Sequence, residues 1–290
     1  MSLPTVFLRN MFENCDKMKQ IVELRGLIMA VETIIFDLDD TLLWDQQSIK
    51  TAIEKTCEVT AAKYDLDAEA FEQAVRKEAR ALYESYETYP YTVKIGINPF
   101  EGLWGTFDDP TPEFQQMKSI IYTYQVSSWV NGLKQFGIED TAFAEQLADT
   151  FITERKKHPY LYEDTIDILD KLKGNYKLLL LTNGAPSLQN LKLQITPELV
   201  PYFDHIFISG DFGVGKPDAS IFEHVIKTAQ IDVQTSVMVG DNLMTDILGS
   251  NRVGMHNVWI NRENKARSSE VVPTYEVKSL TELYTLIQTI

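Results

Sequence analysis

Short apolar runs that stop abruptly at an acid, a hydroxyl or a glycine recur along this chain, and they constrain its fold more than any other feature. The first reads Val31-Glu32-Thr33-Ile34-Ile35-Phe36-Asp37, and others run from Tyr176 to Leu181, His205 to Ile208, Ser236 to Val239 and His256 to Ile260. Runs this short with little polar alternation suit strands buried on both faces of a parallel sheet. Helical patterns separate them. Asp164 to Lys173 sets Ile166, Leu169 and Leu172 on one face and stops at Gly174, and 218–229 and 243–253 behave alike. Strands alternating with helices predict an α/β fold with a doubly wound, Rossmann-like parallel sheet core. Such sheets bind ligands beyond the carboxyl ends of their strands.

The stretch between the first two runs breaks this rhythm. Residues 48–64, 67–86, 114–136 and 141–157 carry helical periodicity, the first two opened by the capping residues Ser48 and Asp67. Residues 89–112 are rich in aromatics, glycine and proline and read as a loop. An inserted all-helical cap domain is therefore expected over 47–159. The α/β core is expected over 29–46 and 160–290, and an N-terminal extension over 1–28.

The formal charge of −15 disfavours nucleic acid and anionic membranes, because its long-range field repels polyanions. A small anionic ligand stays admissible, since a few local cations or one bound Mg²⁺ can invert the potential in a cleft. No apolar stretch approaches the roughly 20 residues of a membrane span, and the start lacks a secretory pattern. Cys15 and Cys57 are too few for a disulfide framework. A cytoplasmic protein, monomer or homodimer, is expected.

Four polar clusters follow the apolar runs. After the first comes Asp37-Leu38-Asp39-Asp40-Thr41. Alternation points Asp37 and Asp39 the same way, and two adjacent carboxylates are costly without a cation or a shared proton. With Mg²⁺ present, one can act as nucleophile and metal ligand while the other shuttles a proton. Alone, the cluster reads first as a solvated Asp-rich turn. Thr182-Asn183-Gly184, after the most apolar run, is either a phosphate cradle or a helix-capping turn. Lys216, in Gly213-Val214-Gly215-Lys216-Pro217-Asp218, is either an ammonium held near the strand ends or an exposed loop lysine; Pro217 suits a first helical turn. Asp241 closes a buried run, where an unpaired carboxylate is expensive, with Asp246 one turn on. Either a hard cation answers that cost, or Asp241 or Asn242 caps the next helix.

In this order and placement the four clusters resemble the motifs of the haloacid dehalogenase-like superfamily, in the subgroup with a helical cap inserted after the first strand. The resemblance covers roughly Val31 to Ile290 and implies a phosphatase acting through an aspartyl-phosphate. It implies Asp37 as nucleophile, Asp39 as general acid/base, Thr182 and the Asn183 backbone on the phosphate, and Lys216 bridging phosphate and nucleophile. Mg²⁺ is implied on Asp37, the Asp39 carbonyl and Asp241, with Asp246 supporting. The substrate expected is a small phosphorylated metabolite such as phosphoserine, a nucleotide or a sugar phosphate, with Arg80, Lys94 and Trp104 as candidate specificity residues in the cap. The rivals are a phosphomutase, a 2-haloacid dehalogenase, whose relatives lack the second aspartate, and a non-catalytic module on the same fold.

Overall fold

In the computed structural model, which describes residues 31–290, the apolar runs become strands β1 (Thr33–Phe36), β2 (Lys177–Thr182), β3 (His205–Ile208), β4 (Ser236–Gly240) and β5 (His256–Ile260). The extension expected over 1–28 lies outside the described residues. A sixth strand, β6 (Tyr275–Val277), pairs with β5 at the sheet edge; three residues with Glu276 in the middle carry too little pattern to be read in advance. All pairings are parallel, in the order β3-β2-β1-β4-β5-β6. The chain moves outward from β1 through β2 to β3, then returns to β1's other side as β4. The switch point therefore falls at β1, with Thr33 in register with both Lys177 and Ser236, which is where sheets of this kind bind their ligands.

Between β1 and β2 lie helices α1 (Asp45–Tyr64), α2 (Ala68–Glu84), α3 (Tyr89–Ile95), α4 (Pro99–Gly102), α5 (Pro112–Lys134) and α6 (Thr141–Lys157). They form the inserted helical cap around Phe71, Val75, Trp104, Trp129 and Phe151, all buried. Ser48 does not open α1. The helix starts three residues earlier, after Trp44, and the Ser48 hydroxyl donates instead to the His158 carbonyl. Nor is 89–112 all loop, since α3 and α4 occupy part of it. Asn98 accepts from the Phe100 and Glu101 N–H groups, and Glu101 closes the capping box by accepting from Asn98 N–H at 2.9 Å. The chain enters and leaves this layer side by side. Leu43 bridges Leu161 in antiparallel fashion, and Trp44 N–H donates to Tyr160 O at 2.8 Å.

The remaining helices are α7 (Thr165–Leu172), α8 (Pro186–Ile195), α9 (Ser209–Phe212), α10 (Ala219–Ala229), α11 (Leu248–Arg252) and α12 (Leu280–Ile287). Strand alternation sorts the core into two layers. Ile34, Phe36, Leu178 and Leu180 pack with α7 and α12, while Ile35, Leu179 and Leu181 pack with Ile221, Phe222 and Val225 of α10. Helix α8 also serves the cap, for Ala185 before it and its own Leu188 belong to the cap's apolar cluster. No described helix is long and apolar enough to cross a membrane.

Leu180→Ala, at a position with no exposed surface, is expected to lower unfolding free energy by about 2–5 kcal/mol in urea titrations. Val93→Ala, at a 59% exposed position, is expected to change it by less than about 0.5 kcal/mol.

Candidate active site

Asp37 is fixed by the sheet before it meets any side chain: its backbone N–H donates to Val239 O at 2.9 Å, continuing the ladder past β1. Its carboxylate accepts from Lys216 Nζ at 2.6 Å. Lys216 is buried, also donates to Leu181 O at 2.8 Å, and makes a charge contact with Asp246 Oδ1 at 2.7 Å without a directed hydrogen bond. The Asn183 side chain holds the loop carrying this lysine. It donates to Lys216 O at 2.9 Å and accepts from Lys216 N–H at 2.8 Å. A Cβ on Gly215 would lie 2.7 Å from Asn183 Oδ1, so the clamp requires glycine there. Asp218 caps α10 through Ser220 N–H, which puts Pro217 ahead of the helix rather than in its first turn.

Strand β4 delivers Asp241, whose N–H donates to Thr41 Oγ1 at 3.1 Å. A π-helical turn, Leu243–Ile247, follows in place of the plain helix expected from 243 onward. It folds Asp246 back over Gly240, where any Cβ would collide with the Asp246 carboxylate, and Asp246 Oδ2 accepts from Asn242 N–H at 3.1 Å. One carboxylate oxygen from each of Asp37, Asp241 and Asp246 falls within 4.8 Å of the others.

Three carboxylates against one ammonium leave this edge short of positive charge. Burial, reinforced by Asp246 and Asp37, pushes the Asp241 carboxyl up to about 8. Burial also pushes Asp37 up to about 6, although Lys216 pulls the other way. For Lys216, burial disfavours the ammonium, but Asp246 and Asp37 outweigh it and hold the group above the ordinary lysine value. Among the described residues no ion pair reaches Asp241. The donor set, all oxygen and partly uncompensated, fits a hard divalent cation of the Mg²⁺ kind.

Asp39, expected as general acid/base with only its backbone carbonyl on the cation, has a side chain that stands apart from the Asp37, Asp241 and Asp246 cluster. It meets a second lysine instead: Asp39 Oδ2 accepts from Lys192 Nζ at 2.8 Å and from Gln189 Nε2 at 3.0 Å. The Gln189 amide also donates to Thr182 Oγ1 at 2.7 Å, tying Asp39 to the end of β2. Burial raises the Asp39 carboxyl above the usual range while Lys192 opposes it. Gln189 and Lys192 escaped sequence reading, although they lie three apart on the helix that follows Thr182, the spacing that puts two side chains on one face.

The cap residues singled out from sequence are placed less favourably. Trp104 is not available to a ligand: it is 1% exposed, buried in the cap with the Arg155 guanidinium 4.4 Å from its ring. Arg80 is exposed and stacks on Phe100 at 4.8 Å, and Lys94 is exposed with its carbonyl accepting from Gly215 N–H at 2.9 Å. The open cleft beside the cap, about 980 Å³, is lined by Trp44, Lys50, Arg76 and Phe100 and by none of those three. Gln46 and Glu263 line it too, and both border a small cavity beside Asp40 and Asp241.

A doubly wound sheet with helices inserted after its first strand, and acids and a lysine gathered at its carboxyl edge, defines a capped α/β enzyme. The family model described as haloacid dehalogenase-like hydrolase matches residues 31–254, and the chain belongs to that family. A phosphoserine phosphatase of Thermus thermophilus is 28% identical over 254 residues, spanning 88% of this chain and 98% of that one. Among solved structures, the magnesium-bound putative HAD-hydrolase YfnB of Bacillus subtilis covers 89% of this chain and 98% of its own, with TM-score 0.61 and 24% identity. A dehalogenase solved with an intermediate complex covers 90% and 98%, with TM-score 0.58 and 20% identity. These two structures share the fold and do not choose between the chemistries.

Replacing Asp241 by Asn removes a carboxyl that, without a cation, folding must either bury charged beside Asp246 and Asp37 or protonate. Thermal unfolding in chelator should show the variant melting about 2–4 °C above the parent. Added MgCl₂ should raise the parent's midpoint and leave the variant's unchanged; an equal magnesium response in both would exclude Asp241 as a ligand.

Proposed function

We propose that the protein is a Mg²⁺-dependent phosphatase that hydrolyses a small phosphomonoester through an aspartyl-phosphate on Asp37. The observation that carries this reading is the buried Asp37 carboxylate beside Lys216 at 2.6 Å, with Asp241 and Asp246 converging on the same point. In the first displacement an Asp37 oxygen bonds to phosphorus as the ester P–O bond breaks, and Asp39 gives its proton to the departing alkoxide. In the second, Asp39 takes a proton from water, whose oxygen attacks the same phosphorus, freeing phosphate and the Asp37 carboxylate. Thr182 and the Asn183 backbone bind the phosphate oxygens, and Lys216 offsets their charge. Asp37, the Asp39 carbonyl and Asp241 would hold the cation, with Asp246 orienting Lys216; bound there, the cation would supply further charge neutralisation to the transferring group.

Two features weigh against a dehalogenase. Release of halide needs neither a proton donor at Asp39 nor a cation at Asp241. The Thermus phosphoserine phosphatase supports a small metabolite as substrate. The cleft beside the cap carries Glu54, Glu58, Glu69 and Glu72 against Lys50 and Arg76, which favours leaving groups that are neutral or bear an amine over ones with a second phosphate.

A panel of phosphorylated metabolites assayed for released phosphate, with and without MgCl₂, tests the reading. Turnover is expected only with the metal, and Asp37→Asn should lower it by at least about 10³-fold. Transfer of phosphate within a sugar phosphate, with none released, would identify a mutase. Chloroacid turnover in excess chelator would establish a dehalogenase.

A further inference from the structure

Lys192 is 2% exposed, and its ammonium lies between two carboxylates from different layers of the molecule: Asp39 of the core at 2.8 Å and Glu101 of the cap at 2.9 Å. A lysine is rarely sealed from water without a purpose that repays its desolvation. Neutralising Asp45 is not that purpose, since Asp45 pairs with Arg155 at 2.7 Å and stands 3.9 Å from Lys192. Glu101 is itself held rigidly. Its Oε2 closes the capping box of α4 while Oε1 faces the lysine. At the other end the two oxygens of Asp39 are treated differently. Oδ2 takes both Lys192 and Gln189, and Oδ1 is buried with no partner. A carboxyl gripped by one oxygen presents the other in a fixed direction.

We infer that Lys192 is a positioning residue: with Glu101 of the cap behind it, it grips Asp39 Oδ2 so that Oδ1 meets the leaving-group oxygen. The inference rests on the phosphatase reading and adds to it a dependence of the proton-donating geometry on the cap. Cap and core thereby share one charged joint. A cap displaced from Lys192 leaves Asp39 held from the core side alone, so alcohols depart with full assistance only under a seated cap.

The test is the leaving-group dependence of kcat/KM, which covers the steps through ester cleavage and is blind to the later hydrolysis common to all substrates. p-Nitrophenyl phosphate releases a stable anion and needs little proton donation; an alkyl phosphate turned over by the parent needs much. Lys192→Met is expected to lower kcat/KM for the alkyl phosphate by about 10²-fold. For p-nitrophenyl phosphate the loss should stay below about 5-fold, and Lys192→Arg should restore part of the alkyl activity. Glu101→Gln, nearly isosteric, should show the same selectivity at about 10-fold. Circular dichroism checks that each variant is folded; should Lys192→Met fail, Glu101→Gln and Lys192→Arg decide. Equal losses on both substrates, or none, would reduce Lys192 to a buried counter-charge and overturn the inference. A parent that releases phosphate from neither p-nitrophenyl phosphate nor any alkyl phosphate of the metabolite panel would instead remove the phosphatase reading itself.

Discussion

The Lys216–Asp37 ion pair, shut away from water at the end of the central strand, sets conditions that the surrounding sequence has to meet. An ammonium buried this deeply requires compensation, and Asp246 supplies a second carboxylate to it. It also requires a rigid approach, and the Asn183 side chain supplies that by gripping the backbone on both sides of the Lys216 residue. Each of these contacts constrains a glycine in turn. Gly215 leaves room for Asn183, and Gly240 leaves room for Asp246. Four loops are thus locked together by the need to bury one positive charge. The excess of acid that remains belongs to Asp241, the group with the most to gain from a divalent cation.

Much of this was legible in the chain before any coordinates. Strands β1, β2, β4 and β5 were readable because the sheet is covered on both faces, so their runs are apolar without alternation. The site was readable because its residues sit where those runs stop. β6 was not, being three residues at an edge. Helices α3 and α4 were hidden by the aromatic and proline content of 89–112, yet Asn98 and Glu101, three apart, spell the capping box that opens α4. Trp104 was misplaced for the opposite reason: an aromatic side chain in an apparent loop reads as available, and only packing shows it under Arg155.

The lysine network could not be read from spacing at all. Lys192 joins residues 153 and 91 positions away in the chain, and no local pattern encodes a contact of that range. What local pattern offered was the pairing of Gln189 with Lys192 on one face of α8, between Leu188 and Leu193, which are buried. Polar groups set among buried leucines signal an internal partner, though not its identity. Helix α8 therefore carries two kinds of information, apolar positions that seat the cap and polar ones that reach the reacting edge.

The antiparallel bridge between Leu43 and Leu161 brings the two ends of the insertion side by side. A change in the length of chain between them need not separate those ends, so an altered roof can be set on the same α/β core. The lid and the chemistry beneath it are free to evolve at different rates, and the substrate can change while the bond broken stays the same. The joint through Glu101 and Lys192 limits that freedom, because a replacement lid must bring its own anion to the same place.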